Sequence, residues 1–231
     1  PVGTNKTDEF KWKPKGMLAV GAGGDKCAYV LGYLAAIMKY LKTKYDYQCK
    51  DQQKRVVYQN MCGTSAGAIV CASLLQHLDD PCQFGEAVDN LFSSLCGKKL
   101  VERWNPFGAF FNVIESVLFH RSLYKNNLHA KIIEMLHLSE GNMYQTHNLS
   151  VGVWNLKKMQ YETMTNPDDI ALAVTASASV PFIFEPVTIN GQQYVDGGVG
   201  HIIPVFEIIK WCESLRSKSD VTKEHLDIMI C

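Results

Sequence analysis

Apolar positions along the chain fall into short runs separated by glycine- and proline-bearing turns, and the period of each run predicts its element. Gly16–Val20 (GMLAV) is a continuous apolar run that stops at glycines, the pattern of a buried first strand, and Gly21-Ala22-Gly23-Gly24 is the turn after it. From Lys26 to Leu41, the residues Tyr29, Leu31, Leu34, Ile37, Met38 and Leu41 gather mainly on one broad helical face. Arg55–Met61 predicts the next strand and Ala66–Leu78 the next helix, with Pro81 closing that region. Residues 83–137 read as mostly helical, with a break at Asn105-Pro106-Phe107-Gly108. Leu149–Leu156 and Met159–Met164 predict two strands around Lys157-Lys158, and Pro167-Asp168-Asp169 opens a helix through Ser177. Val187–Ile189 and Gln193–Val195 predict a hairpin turning at Asn190-Gly191. A helix over Val205–Leu215 and a strand over Leu226–Cys231 follow.

Strands separated by helices imply an α/β fold of three layers, with a largely parallel central sheet and helices on both faces. The 231 residues suffice for one such domain, expected over 16–231 after a polar lead-in at 1–15. The chain begins at Pro1 and ends in a strand-like segment, a pattern that an excised domain or a trimmed chain would give.

Charge narrows the partners. Lys+Arg and Asp+Glu number 23 each, for a formal net charge of zero, so the basic footprint of a nucleic-acid binder is missing. Lys11/Lys13/Lys15 and Lys98/Lys99/Arg103 read as solvated surface that could brush an anionic membrane. Eight cysteines include no C-x2-C pair, so no zinc site of the usual spacing is visible. Cys27, Cys62 and Cys71 sit in apolar stretches, and reduced thiols in an intracellular protein are expected. Asn5-Lys6-Thr7 and Asn148-Leu149-Ser150 match the glycosylation sequon, a pattern short enough to arise by chance. With no bilayer-length apolar run and no signal peptide, the expected location is cytoplasmic or peripheral on membranes.

The chemistry concentrates at Gly63-Thr64-Ser65-Ala66-Gly67, a G-x-S-x-G sequence between a predicted strand and a predicted helix. Such an elbow holds a nucleophilic serine in a strained turn, with glycines where side chains would collide and a helix N-terminus favouring developing negative charge. Gly21-Ala22-Gly23-Gly24-Asp25-Lys26 also joins a strand to a helix. It lacks the third glycine of a dinucleotide fingerprint and the lysine-serine/threonine end of a P-loop. Glycine amides aimed at an acyl oxyanion are the reading that works together with Ser65, with a plain tight turn as the alternative, and loss of one such donor costs about 10²–10³ in rate. The serine needs a base. Ser65, Asp196 and His225 follow the chain order of an α/β-hydrolase triad, and His201 is a second histidine near Asp196. A carboxylate contacting the serine directly is the other arrangement, and Asp196 in Tyr194-Val195-Asp196-Gly197-Gly198 could serve either.

The ordered set of a glycine loop with lysine, G-T-S-A-G and D-G-G resembles the patatin-like phospholipase family. Ala28-Tyr29-Val30-Leu31-Gly32, Ala176-Ser177-Ala178-Ser179-Val180-Pro181-Phe182, and Asp196-Gly197-Gly198-Val199 followed by Pro204 extend the resemblance over about residue 16 to 231. It implies a Ser-Asp dyad: Ser65 as nucleophile, Asp196 as general base, Gly23 and Gly24 as oxyanion donors and Lys26 at the loop's basic position. Gly21, Gly63, Gly67, Gly197 and Gly198 are the motif glycines. The loop departs from G-G-G-x-[RK]-G at Ala22 and Cys27.

The implied activity is a phospholipase A-type lipid acyl hydrolase working through an acyl-enzyme, without cofactor or metal. Its implied partners are a phospholipid or other acyl-lipid substrate and a peripheral membrane surface. A short-chain ester or lysophospholipid hydrolase, and a catalytically silent lipid-binding module, are the competing readings. Trp104–Phe111, continued by Ile114, Val117, Leu118 and Phe119, is the most aromatic stretch and reads as a core helix or as a lid.

Overall fold

A computed structural model of the chain describes residues 16–44, 58–78, 80–97, 128–136, 148–216 and 225–229. Seven strands form one sheet: β1 (Gly16–Val20), β2 (Asn60–Thr64), β3 (Asn148–Asn155), β4 (Gln160–Thr165), β5 (Val187–Ile189), β6 (Gln192–Asp196) and β7 (His225–Met229). β7, β1, β2 and β3 are parallel neighbours. β4 and β6 each run antiparallel to β3, and β5 antiparallel to β6, so five strands point one way and two the other. This is the mostly parallel α/β sheet anticipated from the alternation of strands and helices.

Side-chain alternation along the strands builds the three layers. Leu18 and Val20 of β1 face a large core shared with Met61, Leu149, Val151 and Val153. That core is closed by α1 (Cys27–Lys44), α2 (Ala66–Leu74), α3 (Pro81–Gly97), α4 (Leu128–Leu136) and α5 (Ile170–Ala178). Met17 and Ala19 of β1, with Cys62 of β2, face the opposite side, against Ile208, Trp211 and Cys212 of α6 (Val205–Arg216). Among the described residues, one face carries five helices and the other carries one. No helix among them is long and apolar enough to cross a membrane.

Several boundaries moved from their sequence-based positions. β2 covers Asn60–Thr64, later than the Arg55–Met61 run, because Gly63 and Thr64 pair with Val151 and Gly152 and carry the strand up to the serine. Pro81 is the first residue of α3 and not a stop, at the position where a missing N–H costs nothing. The hairpin turn at Asn190-Gly191 has φ of 49° and 73°, the paired positive values of a type I′ turn. Asp169 caps α5, accepting from the Leu172 amide at 2.8 Å. Cys27, Cys62, Cys71 and Cys212 are free thiols. Cys82, however, is disulfide-bonded, which corrects the expectation of reduced thiols throughout: pairing depends on the approach of two Cβ atoms in space, which sequence spacing does not encode. The lead-in at 1–15 and the aromatic stretch at 104–119 lie outside the described residues.

One edge of β3 carries two strands in succession. β4 occupies the other edge along Ser150–Asn155, so β2, opposite Asn148–Gly152, and β6, opposite Val153–Asn155, must share this one. Thr64 is thus opposite Gly152, and Asp196 is opposite the very next residue, Val153. A Cβ on Gly197 would overlap the carbonyl oxygen of Gly152, and backbone there has no room to yield. Gly197→Ala is therefore expected to lower the unfolding free energy by about 1–3 kcal/mol through overpacking at this junction. Urea denaturation of the two proteins measures it, and an unchanged midpoint would contradict the packing described.

Candidate active site

Ser65 is the hinge between β2 and α2. Its φ of 57° and ψ of −127° lie outside the comfortable regions for an L-residue, and the local packing holds it there. A Cβ on Gly63 would overlap the Gly67 carbonyl oxygen, and one on Gly67 would overlap the carbonyl oxygen of Val20. The two motif glycines therefore let α2 begin directly against the end of β1. Serine at a helix N-cap ordinarily accepts from an amide of the first turn. Here the side chain makes no capping bond. Its hydroxyl instead donates to Asp196 Oδ2 at 2.6 Å, the short distance of a charge-assisted bond.

Asp196 ends β6 and is 5% exposed; Ser65 is 8% exposed. The other carboxylate oxygen, Oδ1, accepts from the Gly198 amide at 2.7 Å. The Asp196 amide donates to the Ser179 carbonyl at 2.9 Å, fixing the backbone beneath the carboxylate. Burial raises the Asp196 pKa above its ordinary value of 3.8, opposed by the bonds from Ser65 and Gly198.

The glycine loop meets the same turn. A Cβ on Gly198 would stand 3.2 Å from the Ala22 Cβ, so the loop passes directly against the D-G-G segment. The Ala22 amide donates to the Ile202 carbonyl at 2.7 Å, tying the two loops together. The Lys26 amide closes back on the Gly23 carbonyl at 3.0 Å, so Lys26 offers the site only its exposed side chain. The amides of Gly23 and Gly24 have no intramolecular acceptor among the described residues. Gly24 takes φ of 55°, a conformation natural to glycine. Ala22 and Cys27, the two departures from an all-glycine pattern, both fit: Cys27 is buried and its thiol lies 4.0 Å from the Gly21 carbonyl oxygen.

Neither histidine stands between the serine and the aspartate. The His201 ring packs edge-on against Tyr161 and Phe206, with centroids 5.0 Å from each. His225 pairs with Gly16, at the end of β1 remote from the glycine loop, and four residues of strand span about 13 Å. Among the described residues no three metal-ligating side chains gather into a cluster.

Two neighbours have roles that the sequence reading did not assign. Tyr161 from β4 lies with its hydroxyl 3.2 Å from Thr64 Oγ1, and burial pushes its pKa up to about 12. Ser177, wholly buried in α5, bonds to the Ser65 amide. Two buried hydroxyls, Thr175 and Ser177, in the largely apolar helix IALAVTASA were the available signal, because a buried hydroxyl requires a partner.

The model of the family described as patatin-like phospholipase matches residues 18–209, spanning all three motifs. The chain belongs to the patatin-like phospholipase family. Among solved structures it is similar to VipD from Legionella pneumophila, at 17% identity and a TM-score of 0.39, covering 80% of this chain and 46% of that one. It is also similar to the heterodimeric ExoU–SpcU complex of the Pseudomonas aeruginosa type III secretion system, at 16% identity and a TM-score of 0.35, covering 76% of this chain and 38% of that one. The chain thus spans less than half the length of these structures. No curated protein matches it.

A raised folded-state pKa makes the ionised Asp196 a cost to folding. That cost is absent below the unfolded-state pKa and grows as pH rises through the folded one. Asp196→Asn removes it. The variant is expected to match or exceed wild-type stability at pH 7, with the difference shrinking as pH falls into the ordinary carboxylate range. Thermal unfolding of both proteins across pH checks this, and a markedly less stable variant at pH 7 would contradict it.

Proposed function

We propose that the chain is a serine acyl hydrolase acting on lipid esters, of phospholipase A type, through a Ser65–Asp196 dyad. The observation that carries this is the direct 2.6 Å bond from the Ser65 hydroxyl to the Asp196 carboxylate. Asp196 accepts the hydroxyl proton as Ser65 Oγ attacks the ester carbonyl. The oxyanion is stabilised by the Gly23 and Gly24 amides, together with the N-terminus of α2. As the tetrahedral intermediate collapses, the protonated Asp196 gives its proton to the leaving alkoxide, and the acyl group remains on Ser65. Water then loses a proton to Asp196 and attacks the acyl carbonyl, and Ser65 leaves with that proton, restoring the dyad. The raised pKa of Asp196 suits this exchange, bringing the carboxyl closer to a group that both takes and returns a proton.

A lipid substrate, rather than a small soluble ester, is supported by the surface around the dyad. Residues 176–184 and 197–206, which flank the site, contain no Asp, Glu, Lys or Arg. They expose Val180, Ile183, Val199 and Ile202, and Phe182 is 83% exposed with φ of 69°. An apolar rim of this kind at the mouth of a site favours a membrane surface as partner. The neighbouring Lys26 adds an exposed cation suited to anionic headgroups.

A fluorophosphonate probe is expected to label wild type and not Ser65→Ala. Asp196→Asn is expected to lower kcat by about 10²–10⁴, the usual worth of a general base. His201→Ala and His225→Ala are expected to retain activity, and a loss in either comparable to Ser65→Ala would sink the dyad. The acid limb of the kcat/KM profile is expected above the ordinary aspartate range, because Asp196 must be ionised to act as base. Phe182→Ser is expected to reduce hydrolysis of phospholipid vesicles while sparing a monomeric short-chain ester. Equal loss on both, or preference for the short ester by wild type, would favour a soluble-ester hydrolase. Failure of wild type to label would favour a silent binding module.

A further inference from the structure

The dyad accounts for the Ser65 hydroxyl but not for the Ser65 backbone. β2 ends at Thr64, and at φ of 57° the Ser65 amide has left the ladder that β2 makes with β3. Buried without an acceptor, that N–H would carry a full desolvation cost. Its acceptor is the hydroxyl of Ser177, at 2.9 Å. The same hydroxyl donates to the Gly152 carbonyl at 2.6 Å, and Ser177 is 0% exposed. Gly152 is the residue of β3 that faces Thr64, and it immediately precedes the residue that faces Asp196.

We propose that Ser177 is a positioning residue: its hydroxyl pins the strained Ser65 backbone to the strand that also registers Asp196, and so holds the nucleophile against its base. This rests on the reading of Ser65 as the nucleophile. The side chain must be short, to fit between α5 and β3, and must both accept and donate at once. Serine meets both demands, and alanine would leave a donor and an acceptor unpaired in the interior. A second consequence concerns the oxyanion. With its amide committed to Ser177, Ser65 has no N–H to offer a substrate oxygen, and the Ala22 amide is likewise committed to Ile202. That duty is left to the glycine loop at Gly23 and Gly24 and to the N-terminus of α2.

Two readouts test the anchor, one of which does not depend on catalysis. Ser177→Ala is expected to slow fluorophosphonate labelling of Ser65 about ten- to hundredfold, the scale of a small displacement of a reacting group. For a short-chain ester, kcat is expected to fall by the same factor with KM unchanged. In amide NMR spectra, the Ser65 N–H resonance is expected to move upfield and exchange faster in the variant. Ser177→Cys, close in size but a weaker acceptor and donor, is expected to change both readouts in the same sense by less, and it carries the test if the alanine variant does not fold. Labelling of folded Ser177→Ala at the wild-type rate, or an unmoved Ser65 amide, overturns the proposal. A lowered melting temperature with unchanged kcat also overturns it. If wild type is not labelled while Ser177→Ala still moves the Ser65 amide, the hydrolase reading falls and the anchor is supported.

Discussion

Two strands meet end to end along one edge of β3, and the candidate site exists because of the register in which they meet. β2 stops opposite Gly152 and β6 stops opposite Val153. Ser65, one residue beyond β2, and Asp196, the last residue of β6, are 131 positions apart in sequence, yet their side chains come within 2.6 Å. A slip of one residue in either ladder would reverse the direction of every side chain in that strand. The close fit around Gly152 opposes such a slip. Tyr161 and Thr64 crowd its α-carbon, Gly197 lies over its carbonyl oxygen and Ser177 bonds to the same oxygen. β3 thus acts as a ruler, with its marks set by small residues.

Strain and burial are concentrated where the ruler brings these residues together. Ser65 occupies an unfavourable backbone conformation and forgoes a capping bond that would contribute about 1 kcal/mol. Asp196 is buried as a carboxylate, and desolvation outweighs the hydrogen bonds that oppose it. Each feature disfavours folding locally. The offset comes from the large apolar core behind the sheet, where five helices bury Leu18, Val20, Met61, Leu74, Leu149 and Val151 almost completely.

The contrast between the two faces of the sheet follows the same logic. The crowded face supports α2, which begins after Ser65, and α5, which carries Ser177. The other face carries α6 with a smaller apolar cluster and a buried thiol, Cys62, whose pKa is raised by burial and by the nearby Glu207. The segments linking the sheet to α6 and following α5 carry exposed apolar residues, among them Phe182, Val199 and Ile202.

Much of this was legible in the residues themselves. The apolar runs gave the element order, because burial of a strand or helix face imposes a period that survives in one dimension. The G-T-S-A-G and D-G-G sequences marked the two turns, since only glycine fits where backbones nearly touch. The ends of β2 were misread, because ladder partners from β1 and β3 fix them and local propensity does not, and Pro81 was read as a stop although its missing N–H suits the first position of a helix. The disulfide at Cys82 and the bonds from Ser177 and Tyr161 were invisible for a related reason: each joins groups that only the folded chain brings together. Sequence determined which chemistry was available, a serine in a strained turn and an aspartate beside glycines. Tertiary structure decided how they meet, with the hydroxyl on the carboxylate and no imidazole between, because hydrogen bonds depend on distance in space and the register of β3 sets that distance.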